Sequence, residues 1–326
     1  MRLAVVAIAS IFVIAGAGRD IQGQPAPPKY PNQVIRMVVP FTPGASTDVT
    51  ARLFAQHLSA ALGQQVIIDN RGGAGGGIGA ELVAKAEPDG YTLLASNQGP
   101  FLQTALLRKD SPFAVGDFVP VAFIGYSPLI VVANLKFPPN DVKEMVAYAK
   151  ANPGQVTLGS SGTNGNLHVA IEMLKAATSA DFVHVPYRGT GPSLNDVVAG
   201  TISGAFTTTV SAEGLIKSEK VKVLGVAGPK RMDVIPNVPT FREQGIADSD
   251  CEVWIGIVAP PKTPRNVVDI INREINRTLE LPDTRERFKQ WGLEIGGGTP
   301  EAFQAVIQTE VERIQKLIKS GALTAQ

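Results

Sequence analysis

Val38-Val39-Pro40-Phe41-Thr42-Pro43-Gly44-Ala45-Ser46-Thr47-Asp48 closes an apolar run that begins at Ile35 and opens a segment with apolar residues at 49, 53, 54, 58, 61 and 62. The run reads as a buried strand, and the spacing of the segment predicts a helix with one buried face. Ser46 or Thr47 is placed to cap that helix, and Asp48 puts negative charge in its first turn. Gly44 and Ala45 have almost no side chain, so a ligand could approach the main chain there. A strand, a small-residue turn and a helix N-terminus with free N–H groups make an anion site. A purely structural strand-to-helix turn has the same sequence, so the rest of the chain must separate the two.

The same arrangement recurs downstream. Tyr91–Ala95 runs into Ser96-Asn97-Gln98, and Val156–Gly159 runs into Ser160-Ser161-Gly162-Thr163-Asn164-Gly165-Asn166. Phe182–Pro186 leads to Tyr187-Arg188-Gly189-Thr190, and Gly204–Phe206 to Thr207-Thr208-Thr209, each with a helical pattern behind it. Strands that alternate with helices predict largely parallel sheets covered on both faces. Polar loops then gather at the carboxyl edge of each sheet, where open α/β folds bind ligands. A chain of 326 residues is long enough for two domains.

Composition removes several function classes. Thirty Lys+Arg against 29 Asp+Glu, with no basic block, gives no reason to expect nucleic acid or an anionic membrane as partner. The single Cys251 excludes an intrachain disulfide and any multi-cysteine metal site. No metal and no cofactor is expected. Gly75-Gly76-Gly77-Ile78-Gly79-Ala80 fits a dinucleotide fingerprint in form only. It does not open directly off a strand, and the next strand ends in Ala95-Ser96-Asn97 without the required acid. There is no G-x-S-x-G elbow and no H-E-x-x-H. His57 falls inside an amphipathic helix and His184 in an apolar strand, both structural settings, whereas His168 lies within a turn of a polar loop and is placed to touch a ligand. An enzyme, a nucleotide binder and a solute-binding protein are the classes weighed, and neutral hydrogen-bond donors with little catalytic apparatus favour the last. At the N-terminus, Arg2 precedes an apolar run from Leu3 to Gly18 that carries Ala15-Gly16-Ala17. That is the layout of a secretory signal peptide, too short for a membrane span, and it predicts an exported protein.

Eight fragments in register carry a resemblance. They are Tyr30-Pro31-x-x-x-Ile35-Arg36, Val38-Val39-Pro40-Phe41-x-Pro43-Gly44-x-x-Thr47-Asp48, Asn70-Arg71-x-Gly73-Ala74-Gly75-Gly76 and Pro88-Asp89-Gly90-Tyr91-Thr92-Leu93, followed by four more. Those four are Asn152-Pro153-Gly154, His184-Val185-Pro186-Tyr187-Arg188-Gly189, Pro236-x-Val238-Pro239-Thr240 and Gly298-Thr299-Pro300-Glu301. Together they resemble the Bug-type solute-binding proteins of tripartite tricarboxylate transporters over nearly the whole chain from Tyr30. The resemblance implies a type II periplasmic-binding-protein fold, two α/β lobes with a ligand cleft between them. It implies a periplasmic receptor, expected to be a monomer, that captures a small organic carboxylate for a membrane permease. A receptor that signals to a sensor partner and, more remotely, a small-molecule hydrolase are the alternatives.

By that resemblance, loops 41–48 and 160–165 grip a carboxylate through backbone N–H groups and ordered water. The ligand-contact positions expected are Phe41, Gly44, Ala45, Ser46, Thr47, Asp48, Asn97, Ser160, Ser161, Gly162, Thr163, Asn164, His168, Tyr187, Arg188, Thr207 and Thr208. The expected division is 1–17 signal peptide, 18–29 flexible tail, 30–133 plus 253–326 lobe one, and 134–252 lobe two. The chain departs from the family pattern at Ala45 and Ser46, where glycines are usual, and at Gly72, where proline is common. It also has Thr207 where an aspartate commonly follows the phenylalanine. That aspartate can pair with a ligand amine, so Thr207 predicts an acid without an ammonium group.

Overall fold

The structure, a computed structural model, describes residues 30–247, 249–321, 323 and 324. The expected signal peptide and tail lie outside the described residues. Apolar strand β1 (Ile35–Val39) delivers the chain to α1 (Ser46–Leu62), which ends where Gly63 takes the left-handed conformation at φ 69°. Then come β2 (Val66–Asn70), α2 (Gly77–Ala84), β3 (Thr92–Ser96), the short α3 (Thr104–Leu107) and β4 (Val119–Pro128). After Leu129 the chain builds β5 (Ile130–Ala133), α4 (Val142–Ala151), β6 (Val156–Ser160), α5 (Asn166–Thr178), β7 (Phe182–Pro186), α6 (Thr190–Ala199), β8 (Gly204–Thr207), α7 (Thr209–Lys217) and β9 (Lys222–Val226). It returns through residues 227–251 to β10 (Glu252–Ala259), α8 (Arg265–Glu280), α9 (Pro282–Trp291), β11 (Glu294–Ile295) and α10 (Pro300–Lys319).

The two sheets run β11-β4-β10-β3-β1-β2 and β7-β6-β8-β5-β9. Apart from the β11 edge they share one plan. A central strand pairs in parallel with its two successors, β1 with β2 and β3, and β6 with β7 and β8. Beyond the third strand sits an antiparallel one that the chain brings from across the junction, β10 in the first sheet and β5 in the second. This exchange creates two crossovers and, with them, the two-lobed type II periplasmic-binding-protein fold. The crossovers are tied by backbone bonds: Leu129 N–H to the Cys251 carbonyl at 3.1 Å, Ala227 N–H to the Leu129 carbonyl at 2.8 Å, and Cys251 N–H to the Ala227 carbonyl at 2.6 Å. The change of sheet comes at Leu129, so β5, which a boundary at 133 leaves with lobe one, pairs with β8 and β9.

Apolar side chains fill both faces of each sheet. Phe54, Leu58 and Ile271 lie on one face of the first sheet, and Phe101, Trp254 and Phe303 on the other. Phe182, Phe206 and Leu174 belong to the second lobe's larger core. Helix α10 belongs to both lobes: Phe303 and Ile307 pack on the first, Ile314 on the second. Among the described residues no helix is long and apolar enough to cross a membrane. The turn Gly99–Gln103 that leads into α3 has no clear sequence signal, whereas α9 is marked by Pro282 at its first position and by Gly292, left-handed at φ 67°, at its end.

Candidate functional site at the seam between the lobes

The opening turn is a brace built on Asp48. Its carboxylate, 2% exposed, accepts the Gly44 N–H at 2.9 Å and the Asn70 amide at 2.8 Å, and pairs with Arg52 at 3.0 Å. Asn70 also donates to the Phe41 carbonyl at 3.0 Å, which closes the turn against β2. The helix starts one residue earlier than the side chains suggest. Ala45 is the N-cap, with no side-chain cap bond, so neither Ser46 nor Thr47 caps α1. Both lie inside the first turn instead, which leaves first-turn N–H groups turned to the cleft. The Ser46 N–H donates across it to Ser211 Oγ at 3.0 Å.

In the second lobe the loop after β6 repeats the geometry with other groups. Ser160 Oγ accepts the Gly162 N–H at 3.2 Å and lies 2.6 Å from His184 Nε2. The Asn164 N–H donates to His168 Nδ1 at 3.1 Å. Helix α5 then starts from Gly165, again without a side-chain cap. The loop meets the first lobe on glycine. A Cβ at Gly75 would lie 2.5 Å from the Thr163 carbonyl oxygen, and one at Gly162 would lie 2.9 Å from the Gly75 nitrogen. Gly75, in the glycine run that failed as a nucleotide fingerprint, is therefore on the first lobe's side of this seam.

Between the two loops lies a small cavity lined by Phe41, Ser46, Thr47, Asn97, Ser161, Asn166, Leu167, Thr190, Thr207, Thr208 and Ser211. Helices α1, α5, α6 and α7 all begin at its wall, so four positive helix ends converge on one space. Every polar side chain in the wall is neutral. Asn97 holds its own corner, with its amide 3.5 Å from Thr47 Oγ1 and its oxygen accepting the Gly99 N–H at 3.0 Å. Such a wall stabilises an anion by dipoles and hydrogen bonds, and it contains neither a nucleophile–base pair nor a fixed counter-charge. Among the described residues no group of three or more His, Cys, Asp or Glu could hold a metal.

The expected contact residues fall into three groups. Phe41, Ser46, Thr47, Asn97, Ser161, Thr207 and Thr208 are brought together in the wall. Ala45 caps α1 behind it, and Gly44, Asp48, Ser160, Gly162, Thr163, Asn164 and His168 belong to the two braces. A Cβ on Gly44 would meet no protein atom within 4 Å, so within the protein its glycine answers to φ 85° and not to a packed neighbour. Tyr187 turns away and donates to Asp196 at 2.6 Å; burial, and then that bond, push its phenol up to about 12. Arg188 is exposed. Asn166, Leu167, Thr190 and Ser211 line the wall without having been expected. Each lies in the first turn of a helix that follows a polar loop, and extending each loop one turn would have found them. Burial holds the His168 imidazole below its usual range and, with the neighbouring ring, pushes His184 down to about 4.

The family model described as "Tripartite tricarboxylate transporter family receptor" matches residues 50–323. The chain belongs to this family. A relative of this receptor from Pseudomonas sp. (strain P51), "UPF0065 protein in tcbD-tcbE intergenic region", is 37% identical over 299 residues, 91% of this chain and 88% of its own. "Protein BugT" of Bordetella pertussis is 34% identical over 94% of both chains. Among solved structures the receptor is similar to the periplasmic binding protein BugD, with 34% identity, a TM-score of 0.86, and 91% of this chain and 100% of that one covered. Two others carry ligands. R. palustris Rpa4515 with adipate has 29% identity and TM-score 0.86 over 90% of this chain and 99% of that one. MatC from Rhodopseudomonas palustris with bound malate has 30% identity and TM-score 0.85 over 89% and 100%.

Proposed function

We propose that this receptor captures a small organic carboxylate without an ammonium group between its lobes and presents it to a membrane permease of the tripartite tricarboxylate type. Export through the N-terminal signal peptide would place it in the periplasm. The observation that carries this reading is the convergence of four helix N-termini on a wall with neutral polar side chains. Charge-assisted hydrogen bonds contribute about 1.5–3 kcal/mol each. Micromolar binding needs about 8 kcal/mol after ordering costs, so one helix end is insufficient and both lobes must act together. Closure follows from that requirement, because a ligand shifts the lobes only toward the state it binds better. The adipate and malate held by two relatives support a carboxylate as ligand. Thr207, in the wall where an acid would be needed to pair an amine, supports one without an ammonium group.

Thermal shift followed by calorimetry across malate, adipate, aromatic carboxylates, aspartate and glutamate tests this. Stabilisation by one or more of the first three classes, with no response to the two amino acids, is expected. Tight aspartate or glutamate binding alone would overturn the ligand class, and silence across the whole panel would overturn the receptor reading.

A further inference from the structure

The loop Ser160–Gly165 hangs on two imidazoles that lie outside the cavity wall. His168 is in the first turn of α5 and His184 in the middle of β7, and their rings stack with centroids 4.0 Å apart and planes 22° from parallel. One ring anchors each end of the loop. His184 Nε2 lies 2.6 Å from Ser160 Oγ, which accepts the Gly162 N–H, and His168 Nδ1 accepts the Asn164 N–H. Between the anchors the backbone passes through φ 130° at Gly162 and φ 60° at Asn164. A non-glycine residue leaves the left-handed region readily unless something holds it there.

A ring nitrogen that accepts a hydrogen bond carries no proton. His168 is therefore the Nε2–H tautomer, with Nε2 3.7 Å from Glu172 Oε1. A proton added at Nδ1 would point at the Asn164 N–H, turning the acceptor into a second donor and breaking the anchor. We propose that His168 is a positioning residue for ligand capture: its neutral imidazole fixes Asn164 and hence the second jaw, and acid releases the jaw by protonating that ring. This rests on reading loop 160–166 as half of the carboxylate clamp.

The surroundings favour the neutral ring. On α5 the charged neighbours are Glu172 and Lys175, which pair with each other at 2.8 Å. β7 contributes His184, while β6 presents Ser160 and β8 has no titratable residue. Burial disfavours charge on both rings, Lys175 adds to that, and Glu172 opposes it on His168. Two imidazolium rings stacked this closely would also repel. The jaw is thus set at neutral pH and loosens as the medium turns acid, a condition that a protein outside the cytoplasmic membrane meets directly.

Two substitutions separate the ring's proton from its shape. His168→Asn offers an acceptor near Nδ1 that does not titrate, and His168→Phe keeps the stack but has no acceptor. The measurements are calorimetric affinity for malate and adipate from pH 7.5 to 4.5 and the Asn164 amide resonance over the same range. We expect wild-type affinity to fall relative to His168→Asn by up to about tenfold per pH unit once the ring titrates. His168→Phe should bind weakly at every pH, and the wild-type Asn164 resonance should follow the ring. Ligand ionisation is common to all three proteins, so it cancels in the ratio. Parallel profiles for wild type and His168→Asn, or an Asn164 resonance indifferent to pH, would overturn the proposal. The amide readout needs no ligand. An amide that titrates in a protein binding neither acid at any pH would sustain the anchor and refute the clamp.

Discussion

In the first lobe the strand-to-helix turn is held by a fixed charge pair, Asp48 with Arg52, whereas its counterpart in the second lobe is held by two uncharged imidazoles. Both turns end in an uncapped helix, and both face the same cavity. The backbone task is identical, yet the braces respond to different conditions. The first brace is a pair of opposite charges, whereas the second rests on neutral ring nitrogens that acid can protonate. The first jaw therefore acts as a fixed reference surface and the second as the adjustable one. A clamp needs only one moving jaw.

The largest expected effect lies where the jaws touch. Gly75→Val puts a side chain against the Thr163 carbonyl, so the lobes cannot meet. Carboxylate affinity should fall about 100-fold or more, a loss of about 2.7 kcal/mol, while each lobe keeps its core. Calorimetry reads the affinity, and small-angle scattering should show an open form that ligand does not close. Gly44→Ala is the control, with a similar positive φ and open space around it. It should cost about 1 kcal/mol of stability and little affinity. Equal binding losses in the two variants would mean that backbone strain, and not the seam, governs closure.

The next effect tests the fixed brace. Asp48→Ala strips the acceptor from the Gly44 N–H, the Asn70 amide and Arg52 together. Removing one partner of a buried pair costs about 3–5 kcal/mol. Arg52 is half exposed and regains water, so about 2 kcal/mol is expected here. Calorimetric unfolding measures it, and a loss below about 0.5 kcal/mol, the scale of surface substitutions, would remove Asp48 from the brace.

How much of this could be read from the chain depends on the range of each interaction. The strand at 35–39 and the helix behind it stand in the structure as expected, and like the Gly63 end of that helix and the Thr299 cap on α10 they follow from neighbours within a turn or two. The repeated strand–polar loop–helix unit likewise announced where a cleft could lie. Long-range pairing was not legible. Nothing local says that Asp48 will find Asn70, that Ser46 will reach Ser211, or that His168 will stack on His184. For that reason the bracing bonds of Asp48 and His168, both expected as ligand contacts, could not be foreseen, nor could the place of Ser211 in the wall. The glycine stretch, which fits a nucleotide fingerprint in form only, answers to packing: Gly75 lies against Thr163 of the other lobe, and Gly76, Gly77 and Gly79 lie against Pro100, Thr104 and Pro40 of their own.

A smaller effect probes the titratable brace through stability alone. Both ring pKa values are depressed in the folded protein, that of His184 to about 4 from an ordinary 6.5. The unfolded chain therefore binds more protons across that interval, so stability is fully present above about pH 6.5 and is lost as pH falls toward 4. Replacing His184 with Gln removes one of the two titrations. Chemical denaturation at pH 7 and pH 5 should show a smaller acid loss in the variant than in wild type, and the same loss in both would place the acid sensitivity elsewhere.

The smallest expected effect concerns the hydrogen bond that the first jaw sends across the cleft, from the Ser46 N–H to Ser211 Oγ. A neutral hydrogen bond contributes about 1 kcal/mol net, so Ser211→Ala should shift the lobes toward the open form about fivefold. Apparent affinity falls with the competent fraction, hence by a similar factor. Ser211→Thr retains the hydroxyl and should recover most of it. The opposite sign is also informative. If Ser211 competes with the ligand for the Ser46 N–H, removing its hydroxyl frees that donor, and affinity rises. A gain on Ser211→Ala would then assign the first-turn N–H to the carboxylate and leave closure to the glycine seam alone.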